Sequence, residues 1–475
     1  MVFSSYVFIL AFLPVVLSVY YALSRLENGI YQRLFLIAAS FFFYGYYNTS
    51  YLILIIASIA VNYGIALGIQ KSRAKAGRLL LIIGILFNVG LIGYFKYYDF
   101  FVENINAIFG CSFTLRHLLL PLGISFFTFQ QLSFLISVWH GEEKVERFRD
   151  YCIFVTFFPQ LVAGPIVLYS EMIPQFKDER RRFFHPDHFA SGIWLFSVGL
   201  FKKAVIADTL ALFADNGFGM TDLGLAAGWI TALSYTLQIY FDFSGYSDMA
   251  VGLGKMFNIN IPFNFRSPYR SESISEFWRR WHITLGRALS TYVYKPLGGN
   301  RRGLARTCLN LFLTFLVSGL WHGAAWTFVL WGALHGLFVV AERILQQPLR
   351  KIPKPVRVCG TFLVVTALWV LFRADGFGQA LEVWRGMVAF GNPGIDQLNT
   401  IVGTAAYIDF PLVLDCVYIL LLEGILLFVI FRCPNSSDLL SRFTPSRKTM
   451  VAAAALFTIA LLCLTRESVF IYFNF

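Results

Sequence analysis

Residues 318–326 read SGLWHGAAW, which sets His322 between Trp321 and Trp326 and between Gly319 and Gly323. Apolar runs on both sides of this stretch read as membrane helices. The upstream run, from about Arg306 to Gly319, is about 14 residues, or ~20 Å of helix at ~1.5 Å per residue. A bilayer's hydrocarbon core is ~30 Å thick. A run that starts at the inner face would therefore stop short of the outer one, leaving His322 inside the membrane at a glycine-broken turn. Ionisable groups at that depth are rare and functional by default. Irregular backbone is tolerated there only where protein buries it or it lines a water-filled cavity.

Composition agrees with a membrane setting. The chain has 475 residues, 57% of them apolar, 14% charged and 18% aromatic. Soluble domains carry nearer ~25% charged residues, and a soluble chain could not hide this much apolar surface. The formal charge of +12 follows from Lys and Arg collecting in cytoplasmic loops, so no nucleic-acid partner is expected. Seven cysteines are scattered without a CxxC or paired spacing, which indicates neither a disulfide framework nor a metal site. The first basic residue, Arg25, follows the first apolar run. That pattern reads as a first membrane helix with its N-terminus outside, not a cleavable signal peptide.

Apolar spans fall near 4–23, 33–47, 50–70, 79–97, 117–139, 189–212, 227–249, 306–320, 324–345, 358–373, 411–431 and 449–466. The odd-numbered connections are the more basic ones: Arg25 and Arg33, KSRAKAGR (71–78), KDERRR (177–182), LRKIPKPVR (349–357), and Arg432, Arg442, Arg447 and Lys448. The positive-inside rule makes these cytoplasmic. The expected fold is all-α: a single polytopic membrane domain over residues 1–475, with about 11–12 transmembrane helices and both termini outside. Two regions do not fit simple spans. Residues 151–168, interrupted by Pro159, Gly164 and Pro165, read as a re-entrant segment. In 255–305, Trp278, Trp281, His282, Leu285 and Leu289 recur at three- and four-residue steps from Ile274, while Arg279, Arg280 and Arg287 face elsewhere. That pattern predicts one amphipathic helix with tryptophans at interface level.

Candidate chemistry centres on His322. An imidazole in apolar surroundings stays neutral, the form that accepts a proton as a general base; the bland alternative is a histidine bonded to a carbonyl freed by the glycines. His282 either meets a donor coming from the cytoplasm or is an interface histidine among arginines. Asp242 and Asp248 lie in a span, where carboxylates cost roughly 2.5–3.5 kcal/mol each at mid-bilayer. They need a cavity or partners, and Lys202 and Lys203 invite a salt bridge. Pairing that shapes a cavity is the stronger reading for both. His335 lies in a span without a second polar neighbour and reads as a packed histidine. No GxSxG, P-loop, HExxH or Rossmann glycine pattern is present, so soluble-type hydrolases and ATP-driven pumps are unsupported.

Four stretches together carry a family resemblance: FFPQLVAGPIVLYSEMIPQF, LQIYFDFSGYSDMAVGLGKMFNINIPFNF, EFWRRWHITLGRALSTYVYKPLGGNR and SGLWHGAAWTFVLWGALHG. With them the chain resembles the membrane-bound O-acyltransferases, and among these the bacterial alginate O-acetyltransferase branch. The siblings of that branch are teichoic-acid D-alanyl transferases and peptidoglycan O-acetyltransferases. The resemblance implies helices ringing a thinned membrane centre, with an outer funnel meeting an inner tunnel. It implies catalytic His322 and a second motif histidine, His282. Trp278, Trp281, Trp321, Asp242 and Asp248 then become substrate-binding candidates. It further implies acetyl transfer from a cytoplasmic thioester, acetyl-CoA or an acyl carrier, with no bound cofactor. The acceptor would be an extracytoplasmic polysaccharide, reached through a periplasmic SGNH-hydrolase-like partner, and the setting would be the lipid of a bacterial cytoplasmic membrane. One departure is VWHGE around His140, where the alginate proteins carry a Tyr-Arg-Gly run; it leaves the polymer open. The rival from another class is a transporter using His322 as a proton relay, although no inverted repeat is visible.

Overall fold

The computed structural model describes residues 1–26, 28–403, 412–464 and 470–471. The first residue of the expected span at 411 and the last two of the span ending at 466 lie outside the described residues. Every regular element among the described residues is helical. Among the described residues, seven helices are long and apolar enough to cross a membrane, and two shorter apolar ones, Phe8–Leu23 and Ile30–Gly45, precede them. The protein is therefore an all-helical, multi-pass membrane protein.

Two compact units are present. The first comprises Met1–Ser197, Tyr246–Pro262 and Thr444–Ala455. Within it, helices α1 (Thr49–Lys71), α2 (Ala74–Phe109) and α3 (Ile124–His140) pack together. The Asn48 side chain starts α1 by accepting from Ser50 N, the ordinary N-cap bond. Apolar side chains alone give helices little reason to associate in lipid, so buried amides supply register. Asn62 and Asn88 bond reciprocally between α1 and α2 at 3.2 and 2.6 Å. Gln131 of α3 reaches Ser58 of α1 at 2.9 Å. The expected re-entrant segment forms two short helices, Phe148–Thr156 and Phe158–Leu161, and is buried from Asp150 to Val167.

The second unit comprises Val198–Gly245, Phe263–Phe443 and Leu456–Phe475. It holds most of α4 (Leu225–Met256), then α5 (Ile274–Arg280), α6 (Ile283–Leu289), α7 (Gly303–His322), α8 (Trp326–Ile344) and α9 (Lys354–Arg373). Two expectations are corrected here. The run before His322 is a 20-residue helix, about 30 Å long, so it does not stop short of a bilayer's width. It begins at Gly303, ahead of the basic Arg306 where the apolar run was expected to start, and continues past Gly319 through His322 itself. The amphipathic helix of 274–289 is two helices, broken at Trp281–His282. Trp281 is wholly buried, not at an interface.

Helices α7 and α8 make a hairpin of unusually close approach. A Cβ on Gly319 would lie 2.4 Å from Phe328 O, and one on Gly332 would lie 2.5 Å from Phe315 O. Small residues at such crossings let backbones touch. A Cβ on Gly323 would lie 2.2 Å from the Phe328 ring, so the turn after His322 also requires glycine.

Candidate active site

His322 is the last residue of α7, and Gly323 leaves the helix in an extended conformation at φ −159°. The imidazole is 4% exposed. It meets the Trp331 ring nearly perpendicularly at 5.2 Å and the Phe372 ring at 5.3 Å. Trp331 lies flat against Trp369 at 5.7 Å, and Trp369 abuts Trp281 at 5.0 Å. The next residue along the chain is His282. A ladder of three indoles thus links the neighbourhoods of the two motif histidines within one unit.

His282 occupies the break between α5 and α6 with φ 45° and ψ 52°, a left-handed conformation rare for residues with a Cβ. Asn264 fixes the turn: its Oδ1 accepts from Thr284 N and Oγ1, and its carbonyl accepts from Ile283 N. The imidazole packs edge-on to Phe243 at 4.7 Å. Burial lowers its pKa from 6.5 to about 3, so the ring is neutral at physiological pH.

The other candidates divide. Trp278 joins the cluster, packing on Trp331 at 5.5 Å, and also faces a cleft of about 980 Å³ that Arg279, Phe315, Arg343 and Arg350 share. Trp281 is a rung of the ladder, whereas Trp321 is half-buried. Asp242 Oδ1 sits 2.7 Å from Lys203 Nζ, and its Oδ2 accepts from Ile471 N at 3.0 Å. Lys203 also binds Asp208 at 2.8 Å. The expected salt bridge to Lys203 is therefore present, and with the Ile471 N–H it leaves both Asp242 oxygens in structural bonds. Asp248 is buried and belongs to the first unit. Among the described residues, no group of three or more His, Cys, Asp or Glu is placed to hold a metal.

Sequence reasoning missed Trp331, Trp369 and Phe372, and read His335 as mere packing. In the structure Trp278 Nε1 donates to His335 Nδ1 at 3.2 Å, and the His335 ring lies 4.8 Å from Trp331. The available signal was the spacing of Trp331 and His335, four residues apart on one face of α8.

Comparison with known proteins shows which family the chain belongs to. The model of the membrane-bound O-acyltransferase family matches residues 147–370, a segment that contains His282, His322 and His335. A peptidoglycan O-acetyltransferase of Helicobacter pylori is 41% identical over 100% of this chain and 98% of its own length. The chain belongs to the membrane-bound O-acyltransferase family. As an O-acyltransferase it is also similar to the probable alginate O-acetylase of Pseudomonas aeruginosa, 42% identical over 84% of this chain and 77% of that protein. The teichoic acid D-alanyltransferase of Bacillus subtilis is 27% identical over 48% of the acyltransferase and 60% of its own chain.

Proposed function

We propose that this acyltransferase takes an acetyl group from a cytoplasmic thioester, acetyl-CoA or an acyl carrier, and passes it across the membrane for O-acetylation of an extracytoplasmic polysaccharide. It works in the bacterial cytoplasmic membrane with both termini outside, alongside a periplasmic SGNH-hydrolase-like protein. The observation that carries the reading is His322, buried at a helix end within a wall of aromatic rings in a chain of this family. The donor approaches from the cleft beside Trp278. His322 takes the proton of an acceptor hydroxyl as its oxygen attacks the thioester carbonyl. The new C–O bond forms, the C–S bond breaks, and the proton goes to the departing thiolate. A positioned general base contributes ~10²–10⁴-fold, and holding both reactants at one point adds the proximity term. His282, neutral and fixed by Asn264, orients the donor.

The peptidoglycan enzyme is matched end to end, so peptidoglycan is the first polymer to assay, with alginate second. Deleting the gene and restoring it as wild type or His322→Ala tests the reading in cells. The wild type should restore O-acetyl groups on one polymer, and His322→Ala should leave them absent at equal membrane abundance. Near-normal acetylation with His322→Ala would overturn the assignment.

A further inference from the structure

His335 has a geometry that a packed histidine does not require. Trp278 Nε1 donates to His335 Nδ1 at 3.2 Å. An indole N–H only donates, so Nδ1 is unprotonated and the proton of the neutral ring is on Nε2. The ring is fully buried, and Nε2 has no hydrogen-bond partner among the described residues. A buried donor left without a partner is costly, and such groups call for a ligand atom or water to complete them.

The ring is also held in place. Trp278 and Trp331 meet it edge-on at 5.2 and 4.8 Å, and Phe315 lies near-parallel at 6.3 Å. Trp331 in turn rests on His322. Its own Nε1, one turn from His335 on the same face of α8, is likewise buried without a partner among the described residues. Helix α8 thus carries two N–H donors into the ring cluster that encloses His322. Donors fixed before the reaction, in a site that excludes water, stabilise charge as it develops.

We propose that His335 Nε2–H, its tautomer set by Trp278, is a catalytic donor to the acyl carbonyl oxygen of the thioester. It binds the oxyanion that forms when the acceptor hydroxyl attacks. As the tetrahedral intermediate collapses, the carbonyl reforms, the C–S bond breaks and the hydrogen bond weakens. The proposal rests on the reading of His322 as the base.

The test combines spectroscopy with kinetics on the full-length protein. In the His322→Ala background, bound [1-13C]acetyl thioester should show a carbonyl stretch below that of the free thioester. Adding His335→Phe, which keeps a ring and removes the donor, should return it toward the free value. In the otherwise wild-type protein, His335→Phe should lower kcat by roughly 10²–10³-fold, as loss of one oxyanion donor does, with KM little changed. His335→Gln, which can set an N–H near the lost one, should recover part of that. Trp278→Phe, which keeps His335 but frees its tautomer, should fall between. An unchanged carbonyl stretch, or a kcat within about threefold of wild type in His335→Phe, would overturn the proposal and leave the role of His322 standing. If the wild type itself transferred no acetyl group from a thioester, the proposed function would fail instead.

Discussion

His282 joins a left-handed backbone to complete burial, and the two properties make separate demands on the side chain. Asn tolerates φ near 45° whereas a β-branched residue does not. His282→Asn should therefore fold normally, and His282→Val should lose about 1–3 kcal/mol to backbone strain, read as a lower thermal midpoint in detergent. Burial adds a pH dependence. The folded ring titrates near pH 3, against an ordinary value of 6.5. Between these values the unfolded chain binds a proton that the folded protein does not. This contribution to stability is complete above about pH 6.5 and is lost as pH falls toward 3. The drop in midpoint between about pH 7.5 and about pH 4.5 should thus be smaller in His282→Asn than in wild type. An equal drop in both would contradict burial of a neutral ring.

The α7–α8 hairpin is the element that presents His322, and its backbones touch through Gly319 and Gly332. A side chain at 332 would meet Phe315 O at 2.5 Å and Gly319 Cα at 2.9 Å. Gly332→Val should cost ~1–3 kcal/mol by overpacking and lower acetyl transfer, because residue 319 is one turn from His322. Gly90, whose Cβ would meet nothing within 4 Å, is the control: Gly90→Ala should leave both midpoint and activity unchanged. The hairpin also marks what the sequence disclosed. Its helices, its glycines and His322 were all readable as apolar runs around one polar residue. The break at His282 was not, because a single left-handed residue leaves three- and four-residue periodicity intact. Trp331, Trp369 and Phe372 were hidden for a different reason: aromatic residues are ordinary in membrane helices, and only tertiary packing sets Trp331 and Phe372 against His322 and Trp369 behind them. His335 was discounted for want of a polar neighbour in its own span, whereas its partner, Trp278, comes from α5.

For the molecule as a whole, the orientation reading rests on basic connections, and α2 gives it a sharp test. At 36 residues it is about 54 Å long, well beyond the ~30 Å of a bilayer core. With 71–78 in the cytoplasm, its far end projects outside and carries Cys111, a free, exposed thiol. A variant retaining only this one of the seven cysteines should react with an impermeant maleimide added to intact spheroplasts. Labelling only after lysis would reverse the topology. The central claim, that His322 drives acetyl transfer from a thioester, is tested most directly with the purified protein. Radiolabelled acetyl thioester is supplied with and without a hydroxyl acceptor, and wild type is compared with His322→Ala at equal folded concentration. The account predicts acceptor-dependent transfer of label by the wild type, and loss of at least ~10²-fold in the variant. Transfer by His322→Ala at the wild-type rate would contradict it.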